Sequence, residues 1–405
     1  MPHARLATAV LGALAAALLP AAAPATATPG FTTAMEVFSP DGSIHRVPVT
    51  RPVSDIARAP QSALAPGDVT PIEVNGPSAS RFDLVFVGDG YTSDQLGTYA
   101  QNVRTSVAAL FAVEPYKSYR GQFNIWQVDV ASAESGVDND PALGVNRKTA
   151  LDSYFWCGGI ERLLCVNETK ANQYAAAAPD VDQVIVLANT TKYGGAGGSV
   201  ATSSGGNAQA SQIVIHELGH SIGGLADEYD YGTCDPAQPE EPNATTYTAD
   251  QMRTRRAKWY DWLGQPSPDG GTVGAYAGAR YCTSGMYRPS QNSVMRTLGQ
   301  EFNPPSTEAM IAGFYREADT IDSATTAGDG SLRVAVAKVP GPKTITWSVD
   351  DRRIPSGGTA LDVRAPHLAP GAHTVAVTVT DDSDRVRDKT LRAALSDTRV
   401  WHVDA

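Results

Sequence analysis

The chain has 405 residues, four cysteines and a formal net charge of −11. That length accommodates two or three domains, each with its own core. An acidic chain without a basic run is a poor partner for nucleic acid or an anionic membrane surface, because both require clustered Lys and Arg.

Residues 1–27 begin with Arg5 close behind Met1, continue as an apolar run over 6–19 and end in small residues around Pro20, Pro24 and Ala27. This is the pattern of a secretory signal peptide, and the run is too short for a spanning helix. The expectation is a mature chain starting near Thr28, secreted and, once the signal is cleaved, without membrane attachment. Export makes Cys157, Cys165, Cys234 and Cys282 disulfide candidates. A local 157–165 clip and a longer 234–282 staple are the favoured pairing.

Residues 28–80 read as an N-terminal arm. Weak alternation flanks Ser39-Pro-Asp-Gly42, a hairpin signal, and repeated prolines then suggest a linker or extended arm. The arm contains no cysteine that could cap a zinc ion, which argues against a pro-segment.

A second region spans residues 81–320. Its apolar runs at 82–88, 123–130 and 184–188 are of strand length. Between the first two, Leu96, Tyr99, Val103, Val107 and Leu110 recur at helical spacing behind a Thr92-Ser-Asp94 cap. The acidic turn 134–140 offers a possible Ca²⁺ site but lacks a full loop signature. Residues 147–178 look helical and loop-rich. The glycine-rich segment 193–202 reads either as a flexible loop or as an edge strand able to pair with an extended peptide.

Next comes Ser211-Gln-Ile-Val-Ile-His-Glu-Leu-Gly-His220, a helix predicted to begin near Asn207 and to stop at Gly223-Gly224. His216 and His220 are four apart and so share one helical face, where two neutral nitrogens can grip one Zn²⁺ while Glu217 reaches a water beside it. Only these two of the seven histidines fall between residues 81 and 320. A third ligand from this region is therefore expected to be a carboxylate, Asp227 first and Glu228 second. Asn303-Pro-Pro305 marks a last helix start, with Met310, Ile311 and Phe314 on its apolar stripe. Beyond a polar boundary at 319–330, period-two strands with Gly and Pro turns fill residues 331–405 and suggest an all-β sandwich of immunoglobulin type.

Several motifs together carry a resemblance. His216-Glu-Leu-Gly-His220 with its glycines and acid resembles the metzincin pattern, and Asn292-Ser-Val-Met295 looks like the Met-turn of that clan. Asp89-Gly-Tyr-Thr92, Gly224-Leu-Ala-Asp-Glu-Tyr229, Lys258-Trp259 and Gly285-Met-Tyr-Arg-Pro289 are similar to the IgA-peptidase family of metzincins. The resemblance implies a twisted mixed α/β sheet with a metal-binding helix, followed here by the small sandwich. The standard ligand interval falls on Ala226, whereas counting from Gly224 selects Asp227, with Glu228 as the alternative. The resemblance also implies peptide hydrolysis by one zinc ion with Glu217 as general base, Met295 packed beneath the site, and Tyr287 or Arg288 as a helper at the oxyanion. The partner is then a protein or peptide substrate and the chain a monomer. Two rival functions are a zinc amidase acting on cell-wall peptide and a secreted binding protein whose zinc is structural. The last predicts a coordination sphere filled by protein.

Overall fold

The computed structural model describes residues 30–56, 67–232, 234–339, 341–355, 357–363 and 368–404. The signal-peptide segment lies outside them.

A hairpin of β1 (Gly30–Phe38) and β2 (Ile44–Pro52) opens the described chain, closed by the predicted turn, where Gly42 has φ +87°. β3 (Asp68–Glu73) follows, then β4 (Phe82–Asp89), α1 (Leu96–Leu110), the short α2 (Tyr116–Tyr119) and β5 (Phe123–Asp129). Thr92 and Gln95 form a reciprocal capping box ahead of α1. Within 147–178 the α-helix is α3 (Glu168–Ala175), and apart from a 3₁₀ turn at Cys157–Gly159 the remainder is loop fastened by the Cys157–Cys165 disulfide. Then come β6 (Gln183–Ala188), β7 (Gly195–Ala196), β8 (Ala201–Ser204) and α4 (Ser211–Gly223).

Six strands form one mixed sheet in the order β3-β5-β4-β6-β8-β7, parallel through its centre and antiparallel at both edges. The sheet thus begins before Arg81, because β3, read from sequence as linker, pairs with β5. Its central strands are buried on both faces. Leu84 and Phe86 face the core containing α1 and α4, while Val85 and Val87 face Ala171 and Ala175 of α3. This is why 82–88 reads as a continuous apolar run instead of an alternating one.

The chain continues through α5 (Ala249–Arg255), the hairpin β9 (Tyr276–Ala279) and β10 (Cys282–Arg288), and α6 (Pro304–Phe314), capped by Asn303. Cys234 and Cys282 are bonded. Helix α6 crosses α4 closely because glycines stand at the contact. A Cβ at Gly223 would lie 2.6 Å from Met310 Sδ, and one at Gly313 would lie 2.2 Å from the Ile222 carbonyl oxygen.

The last region contains β11 (Ile321–Thr326), β12 (Leu332–Val336), β13 (Lys343–Val349), β14 (Arg352–Ile354), β15 (Ala360–Leu361), β16 (Ala372–Asp381), α7 (Lys389–Arg392) and β17 (Ser396–Asp404). Two antiparallel sheets, β11-β12-β15 and β14-β13-β16-β17, share one core around Trp347. Several contacts bind this unit to the rest. Val386 and Leu395 join the core beneath α4 and α6. Buried Asp381 accepts hydrogen bonds from Tyr315 at 2.6 Å and Tyr119 at 3.4 Å. Arg81, 1 % exposed, forks onto both oxygens of Asp322.

Candidate metal centre

Helix α4 places His216 and His220 on one face, and Gly224, with φ +60°, ends it as a left-handed cap whose N–H donates to the His220 carbonyl at 3.0 Å. The returning chain supplies the acceptors that orient both rings. His220 Nδ1–H donates to the Leu225 carbonyl at 2.7 Å, and His216 Nδ1–H to the Val294 carbonyl at 2.9 Å. A carbonyl only accepts, so each Nδ1 carries a proton and each Nε2 is left to face the site. Met295, next to Val294, packs against the helix backbone, since a Cβ at Gly219 would meet its Sδ at 2.5 Å.

The two Nε2 atoms are 3.1 Å apart. Asp227 Oδ1 lies 3.5 Å from His216 Nε2 and 3.3 Å from His220 Nε2. Glu36 Oε2, carried by β1, lies 2.9 and 3.5 Å from the same two atoms. Metal–donor bonds of about 2.0–2.1 Å in a tetrahedron put donors about 3.3 Å apart. All five separations bracket that value. Asp227 Oδ1 is moreover buried with no hydrogen-bond partner, an orphan that a cation would satisfy. The electrostatics agree. Burial disfavours imidazolium, yet Glu36 and Asp227 override it and raise His216 to about 10. His220 likewise stands well above its ordinary range despite burial, chiefly because of Asp227. Burial would raise the Asp227 carboxyl, but His220 and His216 hold it well below the usual range. Carboxylates and imidazoles arranged this way create a field that calls for positive charge, and the donors present fit a divalent ion. Among the described residues no other cluster of His, Cys, Asp or Glu has this convergence.

Glu217 sits between the histidines in sequence, with Oε1 buried and unpartnered. Desolvation, with the charge of Glu36 adding to it, pushes its carboxyl up to about 7. The backbone at Gly197, just past β7, presses on this carboxylate, so that a Cβ there would fall 1.7 Å from Glu217 Oε2. Gly197→Ala is expected to displace the glutamate and lower peptide turnover by roughly 10²-fold, the usual cost of misplacing a reacting group by about 1 Å. Steady-state kinetics with zinc content held equal checks this, and an unimpaired enzyme would show that the Glu217 position is not critical.

The neighbouring acids part company. Asp227 turns to the histidines, while its Oδ2 accepts from Tyr281, which itself receives Arg46 Nη1 at 2.7 Å. Glu228, fully buried, points the other way and accepts from Asn243 at 2.9 Å, Asn303 at 2.8 Å and Ser293 at 2.8 Å. Its own N–H donates to the Met295 carbonyl at 2.8 Å. Tyr287 lies on β10, with its backbone bridged to Thr245, and is absent from the hydrogen bonds around the histidines. Arg288 spends its guanidinium on the carbonyls of Ala277, Gly278 and Gln291. In the acidic turn, Glu134 and Asp138 accept the N–H groups of Lys148 and Arg147. Three participants were missed from sequence: Glu36, Tyr229, whose hydroxyl holds Glu36 Oε1, and Tyr281.

Two imidazoles on one helix, carboxylates converging on their free nitrogens and a desolvated glutamate beside them define the metal-dependent hydrolases. The family described as IgA Peptidase M64 matches residues 70–269 and 266–314, more than half of the chain. The chain belongs to this family of metallopeptidases. No curated protein matches it.

Proposed function

We propose that the chain is a secreted zinc endopeptidase in which His216, His220 and Asp227 hold the ion and Glu217 is the general base. When bound, zinc supplies a Lewis acid and lowers the pKa of water from 15.7 towards about 7. Glu217, poised near neutrality by desolvation, takes the proton of the attacking water and delivers it to the leaving amine. The Val294 and Leu225 carbonyls fix the imidazoles, and Tyr281 fixes Asp227.

The observation that carries this reading is Glu217, desolvated and with an unpartnered oxygen beside the metal ligands. A structural zinc has no use for such a group, although the fourth donor, Glu36, is what a structural site would display. The Met295 turn under α4 supports the metzincin assignment, and the two-sheet core around Trp347 supports an immunoglobulin-like sandwich. Two disulfides support export, and no described helix is long and apolar enough to cross a membrane. Cleavage profiling on a proteome-derived peptide library, with and without chelator and alongside metal analysis, tests the function. Endopeptidase products that vanish with chelator and return with zinc are expected. Hydrolysis confined to cell-wall peptides, or none at all in every variant described below, would discard it.

A further inference from the structure

We propose that Glu36 is a fourth ligand of the ion and that the β1–β2 hairpin keeps the enzyme latent by seating it there. The proposal rests on the zinc-peptidase reading. A catalytic zinc keeps one coordination position for water or substrate, whereas four protein donors close the sphere. Glu36 Oε2 approaches His216 Nε2 to 2.9 Å, nearer than Asp227 does at 3.5 Å. Its other oxygen is held by the hydroxyl of Tyr229, two residues beyond Asp227, so the carboxylate is oriented as ligands are.

The hairpin also stands where substrate must lie. Phe31, Thr33 and Met35 of β1 line the same cavity of about 630 Å³ as Glu217, Gly197 and His220. Yet it is no part of the catalytic sheet. Among the described residues β1 and β2 pair only with each other, and the family match begins at residue 70, beyond them. Side chains fasten it instead. Phe38 and Ile44 pack with Ile213 and Tyr229, and Arg51 pairs with Glu168 at 2.6 Å. Its departure would break no strand pairing of the six-stranded sheet, while uncovering Met35 and Val49 from Leu163 and Ala196.

The test uses the full chain with cobalt in place of zinc. Glu36→Gln keeps the shape and the hydrogen bond from Tyr229 but weakens the metal bond. The expected results are an altered visible absorption spectrum, tighter binding of a simple hydroxamate to the metal, and a rise in peptide turnover of at least about tenfold with zinc, as the competent fraction grows. If Glu36→Gln folds poorly, Tyr229→Phe, which frees Oε1, should shift all three readouts in the same direction. A cobalt spectrum that neither variant changes overturns the proposal, whatever the turnover. Turnover that falls while zinc is retained overturns it too, making the hairpin part of the working site. A changed spectrum with no hydrolysis by any form upholds Glu36 as a ligand and instead sinks the peptidase reading.

Discussion

Replacing Glu217 with alanine is expected to lower peptide turnover by about 10³-fold or more while one zinc per chain remains bound. General bases contribute roughly 10²–10⁴-fold, and this carboxylate is desolvated, unpartnered at one oxygen and pressed by the Gly197 backbone. It is absent from the converging donor set, so the ion should not notice its loss. The comparison is best made in the Glu36→Gln background as well, where latency does not mask turnover. Elemental analysis and initial rates provide the measurement. A Glu217→Ala chain that remains active would remove the proposed base.

Asp227→Ala should weaken zinc binding by more than about 100-fold, because losing even an outer partner of a ligand costs about 10–100-fold. Its neighbour should behave differently. Glu228→Ala strands the amides of Asn243 and Asn303 and the Ser293 hydroxyl in the interior. It is expected to cost about 3 kcal/mol of stability and leave the metal in place. Chelator competition and denaturant unfolding separate the two outcomes. An empty site in Glu228→Ala beside a full one in Asp227→Ala would reverse the assignment.

The contrast between these two acids shows how far the sequence could be read. The interval from Gly224 brings the chain back to the helix at about the right place, but which of two adjacent carboxylates faces inward depends on the course of the backbone after the cap. That course is set by contacts with Asn243 and Met295, remote in sequence. Helix α4, its glycine stop and the strands 82–88 and 184–188 were legible because periodicity and run length are local signals. β3 was not, for Pro71 and its neighbours resemble a linker and an edge strand tolerates proline. Glu36 was invisible for a different reason. It lies 180 residues before His216 on a hairpin of ordinary alternation, where nothing local marks a carboxylate as a ligand. Tyr281 was hidden similarly, brought to Asp227 by the loop that Cys234–Cys282 ties down.

The buried links between the terminal sheets and helix α4 carry a mechanical consequence. Val386 and Leu395 prop α6, α6 props α4, and Asp381 and Arg81 pin the arrangement from either side. The β unit is therefore a buttress and not a pendant module. Calorimetry should record one melting event for the whole assembly, whereas two separate peaks would mean the buttress bears no weight.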